Sequence, residues 1–264
     1  MRRNVVNLWL LRTGLLVAIL AAWEFIPKIQ SLRSVSPVFD PFFVSSPTKV
    51  IERIYDIALA RNGQPNVWPL FWETASSTLV GVAVSVVLGS ALGLVLSNSE
   101  TLQRVLQPYI ALVNAMPRVA LIPLFIIVTG TSQTTTVITI VAVVSFLVFY
   151  NAYAGGTSVP KEVLQNATVM GATRIEVMRR IRLPYVLVWT MISLPNAISF
   201  GLVVAVTSEI LMGQLGMGRL LADSLATVDS TMTFAAVAIL AVFGVIIVSA
   251  ADVVQQRVLH WWQR

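Results

Sequence analysis

No charged residue interrupts the chain between Glu73 and Glu100, between Arg118 and Lys161, between Arg182 and Glu209, or between Asp229 and Asp252. A helix needs roughly 20 predominantly apolar residues to cross the hydrocarbon core of a bilayer, and each of these runs reaches that length. The run between Arg118 and Lys161 is too long for one crossing and breaks at the polar stretch Thr129–Gln133. Strand-type alternation is absent, and in lipid only helices and closed barrels satisfy their own backbone groups. The sequence therefore predicts an all-α, polytopic membrane protein with about six transmembrane helices, near 13–28, 74–97, 109–129, 135–156, 185–208 and 232–254. Composition points the same way. Only 11% of the 264 residues are charged and 56% are hydrophobic, whereas soluble domains carry about a quarter charged residues.

The first of these spans has a second reading. Arg2 and Arg3 followed by Leu15–Ala22 resemble a cleaved signal peptide, but bulky Trp23, Glu24 and Phe25 stand where a small-residue cleavage site belongs. An uncleaved helix is the reading adopted. Basic residues in short loops then set orientation. Arg2, Arg3, Arg12, Arg104, Lys161, Arg174, Arg179, Arg180, Arg182, Arg257 and Arg264 all fall on one side of an even-numbered bundle. That side is expected to be the cytoplasm, with both termini in it. Lys28, Arg33, Lys49, Arg53, Arg61 and Arg219 fall on the other, most of them in a long connector where the rule is weaker.

Residues 1–72 read as an N-terminal helix plus this extracytoplasmic connector, and 73–264 as the helical core. In the connector Pro47 opens a short helix, a position where its missing N–H costs little. Val50, Ile54, Ile57 and Ala58 follow at helical spacing, as in an amphipathic helix lying on the membrane or an ordinary packed connector. Trp68 and Trp72 suit one interface, His260, Trp261 and Trp262 the other. Pro117, Pro123 and Pro195 are expected to kink the third and fifth spans.

Several chemistries drop out. There is no cysteine and a single histidine, so thiolate catalysis, disulfides and cysteine metal sites are excluded, and no metal or cofactor is expected. No carboxylate pair or nucleophile set emerges, so no catalytic residue is assigned. The net charge of +6 is scattered between apolar runs and not gathered into a nucleic-acid stripe.

The polar segment 160–184 between the fourth and fifth spans carries the most information. Leu164, Ala167, Gly171, Ile175, Met178 and Ile181 recur at steps of three and four, which predicts one or two short helices with an apolar stripe exposed to the cytoplasm. Gly171 permits a bend between them. An exposed apolar stripe packs on something, either this chain's own helix ends or another protein.

Here the chain resembles the permease subunits of ATP-binding-cassette importers. Their coupling loop runs Glu-Ala-Ala, three residues, Gly, nine residues, Ile, one residue, Leu-Pro. Gln165, Asn166 and Ala167 stand at the first three positions, and Gly171, Ile181, Leu183 and Pro184 complete the pattern. Gln165 keeps the length of the family's glutamate and loses its charge. The runs Ser46–Val50, Asn114–Phe125 and Ser208–Gly218 resemble the nitrate, sulfonate and taurine branch. The resemblance implies a type I importer permease fold in an inner or plasma membrane. It also implies that the loop inserts into a cytoplasmic ATPase, with a second permease copy in a homodimer and an extracytoplasmic substrate-binding protein. ATP would be bound by the ATPase partner, and no Gly-x-x-x-x-Gly-Lys-Ser/Thr phosphate loop occurs in this chain.

Arg118 is the most unusual residue, about halfway along a predicted span. A central arginine costs about 2.5–3.5 kcal/mol on insertion scales, which something must offset. It reads either as a cation facing an anionic solute, with Asn114, Met116 and Pro117 beside it on the pathway, or as a paired or snorkelling structural residue. Glu209, at the outer end of the fifth span, reads as a pathway residue, a partner for an outer basic residue, a contact that helps receive the binding protein, or a plain interfacial carboxylate. Gly213, Gly216 and Gly218 form a tight turn after it, and Gly81, Gly89 and Gly93 permit close helix packing. Two other function classes compete: a secondary transporter driven by an ion gradient and a non-transporting scaffold. The first needs intramembrane acids or broken helices for ion coordination, and no acid in the sequence is deeply placed.

Overall fold

The computed structural model describes residues 2–29 and 40–258. His260, Trp261, Trp262, Arg33, Arg264 and the side chains of Arg2 and Arg3 lie outside the described residues. Among those residues the regular structure is helical, without strands. The helices are α1 (Arg2–Phe25), α2 (Pro47–Ala58), α3 (Val67–Ser97), α4 (Glu100–Ala115), α5 (Ile122–Thr129), α6 (Gln133–Thr157), α7 (Lys161–Val169), α8 (Leu183–Met212), α9 (Met217–Ala226) and α10 (Ser230–Val258). Among the described residues five stretches are long and apolar enough to cross a bilayer, or six if one bent pair is taken as a single span.

That bent pair corrects the reading of the third span. Instead of one kinked helix over 109–129, α4 ends at Ala115 and the segment Arg118–Thr129 leaves it at 84°. The cause is local. The ring of Pro117 disfavours helical backbone at the residue before it, and Met116 is extended with ψ 135°. Pro123 lies in the first turn of α5, where its missing N–H is no loss. Pro195, by contrast, sits inside the unbroken α8. The polar turn at 129–133 is as expected. Gly130 is left-handed at φ 75°, and Ser132 caps α6 by accepting from the Thr135 N–H at 3.2 Å.

Two compact units are present. One draws on residues within Met1–Leu70 and Leu220–Ala241, so it takes in a stretch that the sequence assigns to the core. Here the indole N–H of Trp23 donates to Val44 O at 3.0 Å, and its ring lies 5.2 Å from that of Phe234. Glu24 closes the start of α2 by accepting from the Thr48 N–H at 3.2 Å and its hydroxyl at 3.0 Å. The helix is two-faced, with Val50 and Ile57 buried and Ile51 and Tyr55 exposed. Arg53 pairs with Asp229 at 3.0 Å, partly buried.

The second unit, Phe71–Arg219 and Val242–Arg264, holds the candidate site. Its core is a seam of small and β-branched residues, among them Val82, Ile140, Val144, Val148, Ala197, Val204 and Ala251. At Gly81, Gly89 and Gly93 α3 lies against α6 with no room for a side chain. A Cβ on Gly89 would lie 2.6 Å from Ser145 O, and one on Gly93 2.6 Å from the Ala152 Cβ. In lipid, where burial from water does not drive helices together, such backbone approach and its dispersion energy stabilise the crossing.

Candidate functional site

The 160–184 arm is built from three local backbone signals. α7 ends in a Schellman motif: Gly171 is left-handed at φ 82°, its N–H donates to Thr168 O at 3.0 Å, and the Ala172 N–H reaches back to Ala167 O at 2.9 Å. Only glycine takes that conformation at little cost. Thr173 then starts the second arm with a capping box, its hydroxyl accepting from the Glu176 N–H while the Glu176 carboxylate accepts from the Thr173 N–H at 2.9 Å. The turn Arg174–Glu176 widens into a π stretch, Val177–Arg182, that runs directly into α8. Pro184 supplies no N–H, and the Leu183 N–H bonds five residues back to Met178 O, so the widened turn absorbs the missing donor. Ala167, Gly171, Leu183 and Pro184 of the motif thus have backbone roles.

The exposed face differs from the expected one. Leu164, Ala167, Met178, Ile181, Leu183 and Pro184 are half-buried, while Gln165, Asn166 and Gly171 are exposed. The residues standing clear are Val169 (87% exposed), Met170 (86%) and Ile175. Leu164, Ala167, Met178 and Ile181 of the stripe turn inward, Gly171 and Ile175 stay exposed as expected, and the apolar surface is the tip around the bend. Arg182 ties the base of the arm to the bundle. Its Nη1 donates to Ser97 O and to Gly156 O, at the C-terminal ends of α3 and α6, where a cation is favoured by the helix dipole. Sequence reasoning counted Arg182 only for orientation. Its place inside the motif, between Ile181 and Leu183, was the available signal.

Arg118 lies at the break, in the turn Arg118–Leu121 between α4 and α5. Its Nη2 donates to Asn114 Oδ1 at 2.7 Å, and the guanidinium sits 4.4 Å from the centroid of the Phe146 ring, a cation–π geometry. Among the described residues no carboxylate pairs with it, and Nε has no hydrogen-bond partner. Arg118 and Met116 line a cavity of about 210 Å³ with Val143, Leu147 and Phe200. Asn114 also faces a larger cavity, about 590 Å³, with Gln103, Gln107, Tyr150, Tyr153 and Lys161. Gln103, Gln107, Asn114 and Arg118 follow one another at steps of four or seven, so a polar row runs along α4 to the break. Pro117 shapes the break without lining either cavity.

Glu209 is far from these groups in the sequence, near the opposite end of α8. It is 2% exposed, sealed inside the protein. Its Oε2 accepts from Thr74 Oγ1 at 2.8 Å and from the Gly218 N–H at 2.8 Å. Thr74 Oγ1 in turn accepts from the Met217 N–H at 2.9 Å. Neither bond is to a basic residue. Among the described residues no group of acids and histidines forms a metal site.

Comparison with known proteins fits these features. Residues 85–260 match the model of the binding-protein-dependent transport system inner membrane component. The taurine transport system permease protein of Escherichia coli (strain K12) is 23% identical over 95% of this chain and 89% of its own. The formylaminopyrimidine transport permease protein of Halalkalibacterium halodurans is 25% identical over 84% and 86%. Among solved structures, an inward-facing form of the MetNI methionine transporter superposes with a TM-score of 0.64 at 18% identity, covering 72% of this chain and 96% of that one, a likeness of fold. A multi-span helical chain with this arm, and with two thirds of its length inside one family model, belongs to the binding-protein-dependent ABC importer permeases: it is a transport subunit and not an enzyme.

Proposed function

We propose that the chain conducts a small anionic solute past Arg118, in a homodimer whose two 160–184 arms dock on cytoplasmic ATPase subunits. The observation that carries the reading is a half-buried guanidinium at a helix break, without a carboxylate partner, lining one cavity and bonded to Asn114, which lines a second. A cation so placed keeps attraction to spare for a passing anion, and the row Gln103, Gln107 and Asn114 offers hydrogen bonds on the way. The named relatives support a small solute without agreeing on one. Gln165, Asn166, Ala167, Gly171, Ile181, Leu183 and Pro184 shape the arm, and Val169, Met170 and Ile175 supply the apolar tip that enters the ATPase. ATP is held by that partner. Closure of two ATPases moves the arms, and the bundle alternates its access. Both termini lie on the arm's side, the cytoplasm.

The test is uptake of labelled taurine, nitrate and a short alkanesulfonate by vesicles holding the complete transporter. Whichever probe the parent takes up, Arg118→Gln is expected to reduce its uptake about tenfold or more, the scale of one charge-assisted hydrogen bond, and Arg118→Lys to restore part. Normal uptake of an anion by Arg118→Gln contradicts the role of the cation.

A further inference from the structure

The junction at Glu209 has a purpose that neither a pathway nor an interfacial carboxylate requires. α9 begins at Met217, and the residue before it, Gly216, has no side chain with which to cap the helix. The first N–H groups of a helix have no partner inside it. Here they are satisfied from elsewhere in the chain: the Met217 N–H by Thr74 of α3, and the Gly218 N–H by Glu209 of α8. The hydroxyl of Thr74 closes the triangle by donating to Glu209. Three elements that diverge in sequence are thereby joined by one carboxyl and one hydroxyl.

Sterics make the joint specific. A Cβ on Gly216 would lie 2.6 Å from Glu209 Oε1, and one on Gly218 would lie 2.7 Å from the Glu209 Cβ. Both glycines are therefore needed for the turn to close over the carboxyl. Gly213, left-handed at φ 62°, ends α8 and starts that turn. Thr74 and Glu209 are both buried, so the bonds do not compete with bulk water.

We infer that Glu209 is a positioning residue. With Thr74 it caps α9 across the chain and fixes the turn Gly213–Gly218 to α3 and α8, so that the turn travels with these helices as one body through the transport cycle. The movement rests on the importer reading, and the cap itself does not.

Amide hydrogen exchange of the full-length chain in nanodiscs, alone and assembled with its ATPase partner with and without ATP and vanadate, tests both parts. In the chain alone, Glu209→Ala is expected to speed exchange across 213–219 by about tenfold, the equivalent of one buried hydrogen bond. Glu209→Gln, which keeps an acceptor and a donor, is expected to stay within about threefold of the parent. Exchange across 161–176 is expected to be unchanged by either. If Glu209→Ala does not accumulate, Thr74→Val carries the test, with acceleration of a few-fold expected. Parental exchange in Glu209→Ala or, in its absence, in Thr74→Val overturns the cap, and so does Glu209→Gln exchanging as fast as Glu209→Ala. In the assembled parent, 213–219 is expected to stay equally slow in both nucleotide states. Faster exchange with ATP and vanadate overturns the one-body movement and leaves the cap standing.

Discussion

The two ends of α8 are built on opposite principles. At the Leu183 end the approach to the helix is shaped by neighbours in sequence: a left-handed glycine, a Thr173–Glu176 capping box and a proline-widened turn. Its apolar tip is left uncovered. At the Met212 end two of the three bonds that hold the turn join residues more than a hundred positions apart, and the carboxyl is sealed in. One end is assembled to present a surface, the other to keep three segments together. Such a division suits a subunit that, as proposed, receives force at one end and holds a fixed turn at the other.

Substitutions at the two ends separate these principles by the size of their effect. Gly218→Val places bulk where a Cβ already meets Glu209, and overpacking of this kind costs about 1–3 kcal/mol or more. It is expected to give the largest loss of thermal stability in detergent. Arg182→Ala removes the tie from the arm to the ends of α3 and α6. A loss of about 1.5–3 kcal/mol at full burial is the scale for hydrogen bonds to a charged group, and partial exposure of Arg182 places the expected effect at or below its lower end. Gly171→Ala forces a side chain into the left-handed region, at about 1 kcal/mol, with faster exchange confined to the end of α7. Met170→Asp is expected to change stability by less than about 0.5 kcal/mol, as surface substitutions do, while abolishing co-purification of the ATPase. A Met170→Asp variant that unfolds, or a Gly218→Val variant as stable as the parent, breaks the comparison.

The same division explains what could be read from the sequence. The spans, the polar turn at 129–133 and the arm were legible because charge-free runs, caps and glycines act over a few residues. The break at Pro117 was half legible: the proline was noted, but the bend depends on Met116 turning extended and on Pro123 restarting the helix. Starting the third span at 109 also left Gln103 and Gln107 in a connector and hid the polar row. Asn114 as the partner of Arg118 depends on the break itself, since α4 ends at Ala115, and Phe146 beneath the guanidinium comes from another helix. Glu209 was the least legible. Its partners Thr74 and Gly218 share no periodicity with it, and its neighbours Ser208 and Ile210 do not distinguish a boundary charge from a sealed one. Val169 and Met170 were passed over because the stripe of Leu164 and Ala167 had the stronger period, yet that stripe faces inward.

The chain has no cysteine, so a single one introduced by Met170→Cys, or by Leu215→Cys at an exposed position beyond the far end of α8, reports unambiguously on its neighbours. Cross-linking in native membranes from each position is the most direct examination of the arm as the docking element. The Met170→Cys variant is expected to form an adduct with the ATPase and the Leu215→Cys variant none. An ATPase adduct from Leu215→Cys, with the thiol of Met170→Cys left unreacted, would contradict the assignment of the two ends.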